Sequence, residues 1–179
     1  MNEDEIAEGL QSGSPEAFRE LYRAHGQPVF SYLTRLTGRR EMAEELTQEA
    51  FLTTIRKISF FRSRTDGGLR AWVFRIATHL AIDVLRREKR IVVSDPFEER
   101  TDTPSVEPSA QEQLEKFEFS AELQKALQGL TEAQRMIFLL KEQEEMTSME
   151  ISRVCGCSEN AVKQTLFRAR ASLRKKLCN

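Results

Sequence analysis

The 179-residue sequence has little glycine or proline, 8 and 5 residues respectively. Both residues punctuate turns, so their scarcity argues against a turn-rich all-β fold and for helices. It has no run of about 18 apolar residues, which excludes a membrane-spanning helix and stable membrane insertion. The first ten residues include Glu3, Asp4, Glu5 and Glu8. A secretory leader needs a basic start and an apolar stretch, so none is expected here. Three cysteines, Cys155, Cys157 and Cys178, together with the lack of an export signal, fit a reducing cytoplasm. Histidine occurs only at positions 25 and 79. A zinc site wants about four ligands at suitable spacing, so Cys155-Gly156-Cys157 reads as small side chains around a turn. No Gly-rich phosphate loop, nucleophile motif or His–carboxylate set is present. The expectation is therefore a protein that is not an enzyme, with no catalytic residues, no metal and no cofactor.

Charge is plentiful instead. Charged residues make up 31% of the chain, yet they nearly cancel to a net −1. They are sorted along the sequence. Ser59–Val93 holds 8 basic and 3 acidic residues, and Leu123–Asn179 holds 10 and 6. Between them, Ser94–Glu122 holds 2 basic and 9 acidic residues. Two basic blocks separated by an acidic stretch suggest two contacts with a polyanion.

Ser94–Gln111 contains three of the five prolines and few large apolar residues. It reads as a flexible acidic linker between helical domains at 1–93 and 112–179. In the first domain, Ser14 caps a helix with Pro15 at its first position. A second helix carries Val29, Tyr32, Leu33 and Leu36 and ends at Gly38. A third spans about Arg40–Ile58, with Ala43, Leu46, Ala50, Phe51, Ile55 and Ile58 facing inward. After the loop Ser59–Gly68 comes a long helix from Leu69 to about Arg90. Its apolar stripe is Leu69, Trp72, Val73, Ile76, Ala77, Leu80 and Val84.

In the second domain, Thr131-x-x-Gln134 and Thr147-x-x-Glu150 are capping boxes. A short helix, the Gly156 turn and a longer basic helix capped by Ser158 form a helix-turn-helix pattern. Packing of Ile151 and Val154 on Val162 and Leu166 turns Glu159, Asn160, Lys163, Gln164 and Arg168 outward. Asn, Gln, Lys and Arg can hydrogen-bond base edges in the major groove, and Arg170, Arg174, Lys175 and Lys176 can neutralise phosphates. In the first domain, Phe60, Phe61, Trp72 and Phe74 are interleaved with Arg62, Arg64, Arg70 and Arg75. That mixture suits single-stranded DNA, where bases stack on rings and cations hold phosphates, although Trp72 also lies on the core stripe.

The string AEELTQEAFLTTIRKI at 43–58, with LRAWVFRIATHLAIDVLRREKR at 69–90, resembles region 2 of a sigma-70-family transcription initiation factor. LTEAQRMIFLLKEQEEMTSMEISRVCGCSENAVKQTLFRARASLRKKL at 130–177 resembles region 4. Two regions on a short linker are the arrangement of the extracytoplasmic-function (ECF) sub-family. The resemblance implies an all-α protein with a region 2 bundle and a region 4 helix-turn-helix. It implies docking on core RNA polymerase, with Glu45, Gln48 and Glu49 against the β′ clamp helices and region 4 on the β flap. It implies binding and melting of the −10 promoter element by Phe60, Arg62, Arg64, Arg70, Trp72, Arg75, His79, Asp83, Arg86, Arg87, Lys89 and Arg90. It implies reading of the −35 element by Ser158, Glu159, Asn160, Lys163, Gln164, Arg168 and Arg170. An anti-sigma factor is a further implied partner. The chain departs from the family in having Glu45 for Asp and His79 for Asn. Ala161, Thr165 and Phe167 replace the usual Thr, Arg and His, which bears on base preference. Two other readings stay open at this point. One is a helix-turn-helix regulator with a ligand-sensing N-terminal half, and the other is an adaptor that titrates polymerase.

Overall fold

The computed structural model describes residues 1–63, 67–94 and 121–178, and all of the regular structure among them is helical. Most of the 94–111 linker and Arg64 lie outside the described residues. The helices are α1 (Glu3–Gln11), α2 (Pro15–Thr37), α3 (Arg40–Lys57), α4 (Leu69–Ser94), α5 (121–128), α6 (Glu132–Glu142), α7 (Ser148–Cys155) and α8 (Glu159–Leu177). A 3₁₀ turn, Ile58–Phe60, follows α3.

Local signals account for most boundaries. The Ser14 hydroxyl accepts the Ala17 N–H at the start of α2, and Gly38 ends the helix at φ 75°. Thr131 and Thr147 open α6 and α7 with reciprocal capping boxes, Gly156 closes α7 at φ 67°, and Ser158 caps α8. Three features differ from the sequence expectation. Helix α1 was not anticipated, and it opens with a capping box between Asn2 and Glu5. The two helices expected across 15–37 are one continuous helix with Pro28 inside it. Proline removes one backbone donor there, but packing on α1, α3 and α4 holds the helix together across it. Helix α5 precedes the Thr131 capping box.

Helices α1 to α4 form one bundle and α6 to α8 another. The buried apolar residues of both belong to a single cluster. The reason is visible on α4. Of its expected stripe Leu69, Trp72, Val73 and Ala77 are buried and Ile76, Leu80 and Val84 half-buried, and a second face comprising Ala71, Phe74, Thr78, Ala81 and Ile82 is buried as well. Helix α4 packs on α3, α2 and α7, so before its C-terminal turns solvent reaches mainly the edge that carries Arg75, His79 and Asp83. Phe74 meets Tyr32 edge-on at 5.4 Å, and the buried Tyr32 hydroxyl bonds Thr78 Oγ1 at 2.9 Å. At the start of α4 the Leu69 N–H donates to Glu3 Oε2 at 3.0 Å. Gly68, at φ 93°, makes room for that carboxylate, since a Cβ would lie 2.8 Å from it.

The modules are joined by Arg135, which is buried. Its guanidinium donates to the carbonyls of Leu127 (2.9 Å), Gln128 (3.1 Å), Leu130 (3.2 Å) and, across the junction, Leu36 (2.7 Å). Burial lowers its pKa, with Glu132 opposing the shift. Arg135→Met should destabilise the chain by on the order of 3 kcal/mol, because charge-assisted bonds are lost and buried carbonyls are left without donors. A urea-induced unfolding curve followed by helicity measures this.

His25 is also buried. Burial lowers its pKa, Glu3 works against that shift, and Arg70 adds to it. A folded pKa below the unfolded value, about 6.5, means the unfolded chain takes up the proton more readily. Stability is therefore full above that pH and falls as pH drops through it. His25→Gln should flatten this dependence, as read from thermal midpoints between about pH 7.5 and 5.5.

Candidate nucleic-acid and partner interfaces

The α3 strip is only partly as expected. Glu45 and Gln48 are exposed, and the next turns add the half-exposed Leu52 and Ile55. Ile55 was expected to point inward, but it faces solvent, because Ala50, Phe51, Thr53 and Thr54 fill the buried positions on these turns. Glu49 is engaged within its own helix, where its carboxylate accepts from Arg56 and from Thr53 Oγ1. Those bonds hold its pKa below the usual carboxylate range. Tyr22 of α2 flanks Phe51 at 5.0 Å and is half-exposed. The face is thus an apolar patch bordered by acidic and amide groups, a composition suited to protein docking.

Along α4, Arg75, His79, Asp83, Arg86, Arg87 and Arg90 are all exposed. Their spacing of i, i+4, i+8, i+11, i+12 and i+15 sets them in one row. At 1.5 Å per residue the row is about 22 Å long. Burial lowers the pKa of His79, and Arg75 and Lys57 add to that while Asp83 opposes it. A neutral imidazole presents one donor and one acceptor, which can serve a base edge or a sugar. Phe60 is 76% exposed on the 3₁₀ turn. The adjoining Arg62 folds back, donating to the carbonyls of Ser59 and Phe61 at 2.9 and 2.8 Å.

Three expected members of this surface are placed otherwise. Trp72 is only 7% exposed and packs on Phe61 with ring centroids 5.2 Å apart, so it belongs to the core and is corrected from a base-stacking residue to a wall behind the turn. Its place on the apolar stripe already carried that signal. Arg70 points to the far side of α4, where Nη2 donates to the Glu144 carbonyl at 2.5 Å and lies 3.2 Å from Glu144 Oε2. Lys89 pairs with Glu132 at 2.5 Å.

In the second module, α7 and α8 pack through Ile151, Val154, Val162 and Leu166, all buried, around the left-handed Gly156. Glu159, Asn160, Lys163, Gln164 and Arg168 project from α8 into solvent. Ser158 is exposed, and its hydroxyl oxygen accepts the Ala161 N–H at 3.2 Å. Arg170 does not join the outward strip. Its guanidinium bonds Glu142 and braces α8 against α6. Phe167, which the sequence marks only as a departure from the family's usual His, joins this strip. It is 70% exposed, one turn beyond Lys163 and beside Arg168. Helical spacing alone gives the signal, since position 167 falls outside the buried 162–166–169–173 stripe.

Cys155 and Cys157 flank the turn. Burial, with a smaller effect of Cys157, pushes the Cys155 thiol up to about 12, and burial also raises Cys157. Among the described residues no three His, Cys, Asp or Glu side chains are grouped to hold a metal ion. No described helix is long and apolar enough to cross a membrane.

Comparison with known proteins accords with this geometry. The Sigma-70 region 2 family matches residues 21–91, and the family described as Sigma-70, region 4 matches residues 120–173. The ECF RNA polymerase sigma factor SigE of Mycolicibacterium smegmatis is 31% identical over 168 residues, covering 94% of this chain and 64% of that protein. The chain therefore spans a little under two thirds of that relative's length. RNA polymerase sigma factor YlaC of Bacillus subtilis is 27% identical over 162 residues, covering 90% of this chain and 92% of the relative. Among solved structures, the sigma factor RpoE of Bartonella quintana, in complex with the anti-sigma factor NepR, shares the fold with a TM-score of 0.69. That match is 22% identical and covers 89% of this chain and 96% of the other. CnrH in complex with the cytosolic domain of CnrY gives a TM-score of 0.75 at 22% identity, covering 98% and 96%. With region 2 and region 4 matched in order on the two helical modules, the chain belongs to the sigma-70 family, in its extracytoplasmic-function branch.

Proposed function

We propose that the chain is a transcription initiation factor that binds core RNA polymerase and directs it to promoters in the cytoplasm. The observation that carries this reading is a pair of separate cationic faces on two modules. One is the 22 Å row on α4, about as measured by helical rise, with Phe60 nearby. The other is the outward strip of α8, held by a helix-turn-helix. The first suits a strand-separated −10 element, with Phe60 as a stacking ring and the α4 cations along the phosphates. The second suits the major groove of a −35 element. There Asn160, Gln164 and Arg168 face base edges, Lys163 faces the backbone, and Phe167 offers an apolar surface to a thymine methyl.

The strip Glu45–Gln48–Leu52–Ile55 is the surface for the β′ clamp helices, and region 4 is the surface for the β flap. No chemistry is required of the protein, because binding of unstacked bases offsets the cost of melting. An anti-sigma protein, of the kind bound by the Bartonella quintana relative, would restrain the chain until a signal arrives.

Run-off transcription with the purified chain, core polymerase and a genomic promoter library tests the reading. Discrete transcripts sharing two upstream elements are expected, and transcripts no different from those of core alone would overturn it. Glu45→Ala with Gln48→Ala should weaken core binding by about tenfold while helicity is unchanged. A pull-down showing wild-type affinity would remove the α3 strip from the docking surface.

The two kinds of −35 contact separate by sequence dependence. Lys163→Ala should weaken binding about equally across −35 sequences, whereas Phe167→Ala should relax preference at one thymine position by about fivefold or more. Competition binding of holoenzyme to a −35 substitution series measures both.

A further inference from the structure

Helix α1 lies before the residues that match region 2, yet it is built into the bundle. Ile6, Ala7 and Leu10 are buried. Gly9 crosses α2 so closely that a Cβ there would lie 2.6 Å from the Cβ of Ala17. The two ends of α1 reach the two sides of the segment that joins α3 to α4. At one end the Glu3 carboxylate accepts the Leu69 N–H at 3.0 Å. At the other end Gln11 Nε2 donates to the Ile58 carbonyl at 3.4 Å. Glu3 and Gln11 are eight residues apart, about 12 Å along a helix.

Both contacts fall on backbone that has no side-chain cap of its own. Gly68 precedes the first residue of α4 and has no oxygen to offer the helix's first N–H groups. Glu3 supplies one from 66 residues earlier in the chain, and a negative charge at that end also suits the helix dipole. Lys57, before the 3₁₀ turn, makes no side-chain cap bond either. The turn closes through the Phe61 N–H, which donates at 3.1 Å to the same Ile58 carbonyl that Gln11 reaches. Phe61 is thereby set inward on Trp72, while Phe60 is left outside.

We infer that α1 is a brace for the strand-holding surface, with Glu3 and Gln11 as positioning residues that fix the Phe60 turn and the first turn of α4 relative to each other. The inference rests on the proposed reading of the −10 element. A stacking ring and a row of cations hold one strand together only when their spacing suits it. Phe60 stands on the 3₁₀ turn, whereas the α4 row begins at Arg75, six residues after Leu69, or about 9 Å along the helix. Without a tie between the two, each would have to be ordered as the strand binds, and that ordering weakens binding. Helix α1 does not hold the strand itself, because Asp4, Glu5 and Glu8 are exposed on it and repel phosphates. Its contribution is geometric, so its loss weakens capture of the single strand and spares core docking and the −35 contact.

Trp72 is the sole tryptophan and is 7% exposed, so its emission reports on the turn. In the full chain, Glu3→Ala with Gln11→Ala should shift that emission to the red and make it about twofold more quenchable by acrylamide. Glu3→Ala alone should do so in part. Glu3→Gln keeps an acceptor for the Leu69 N–H and should behave as wild type. Both substitutions at Glu3 remove the charge that faces His25, so the difference between them isolates the hydrogen bond. Gly9→Ala, which lifts α1 off α2 and leaves Glu3 and Gln11 in place, should reproduce the double alanine effect.

Holoenzyme is then titrated with two probes from a promoter that yields a transcript. One is a fork with a duplex −35 element and a single-stranded −10 non-template strand, and the other is the −35 duplex alone. The double alanine variant should bind the fork about fivefold more weakly, the scale of one lost charge-assisted bond. Its binding to the −35 duplex and to core polymerase should stay within about twofold of wild type. Leu33→Val, which removes one buried methylene from the C-terminal half of α2, should lower the thermal midpoint but leave Trp72 emission and fork binding unchanged. Unchanged Trp72 emission in the double alanine variant would remove the brace. A shifted emission with wild-type fork binding, or an equal loss on both probes, would remove its part in holding the strand. Should no promoter yield a transcript, the −10 reading fails, while Trp72 emission still decides whether α1 sets the turn.

Discussion

The Arg135 guanidinium is surrounded by four main-chain carbonyls, three from the end of α5 and the turn after it and one from the end of α2. The last carbonyls of a helix have no partner within it and carry the negative end of its dipole. One cation thus satisfies the termini of two helices that belong to different modules. A guanidinium is fit for this because its donors fan out in a plane and it does not lose its charge. Such an arrangement also fixes direction. The carbonyls must converge on one point, so α2 and α5 can meet at only one angle. The burial of Met146 and the pairing of Arg70 with Glu144 then follow from where α6 and α7 are placed.

That placement divides the basic residues of α4 into two groups that its sequence does not distinguish. Arg75, His79, Arg86, Arg87 and Arg90 form a solvent-exposed row, while Arg70 and Lys89 pair with acids of the second module. A cation has little preference between a carboxylate and a phosphate at the same distance. The second group is therefore an internal copy of the interaction the first group offers outwardly. The same economy appears on α8, where Arg170 is committed to Glu142 and the outward strip is left to Asn160, Lys163, Gln164, Phe167 and Arg168.

What could be read from the sequence was set by short range. Ser14 with Pro15, Gly38, the capping boxes at Thr131 and Thr147, and Gly156 with Ser158 act within one helical turn, and each boundary they mark is observed. The Asn2–Glu5 box at α1 is equally local, but in the sequence it is masked by the acidic run Glu3-Asp4-Glu5 in which it sits. The remaining differences are long-range. Pro28 stays within a helix because three other helices pack along it. Phe74, Ala81 and Ile82 are buried because α2 and α7 cover a face of α4 that periodicity alone assigns to solvent. Ile55 turns outward because the helix face opposite it was already filled. On the candidate site, the family resemblance pointed to α4 and α8, which carry exposed rows, but only packing shows that Trp72 is core and that Arg70, Lys89 and Arg170 are ion-paired within the chain.

The Cys155-Gly156-Cys157 turn has a consequence for the chemistry the chain can undergo. Peroxides and alkylating agents attack the thiolate, not the thiol. With the Cys155 pKa pushed up to about 12 by burial, that thiolate is scarce at neutral pH. Direct oxidation or alkylation at Cys155 is therefore disfavoured at the point where α7 hands over to α8.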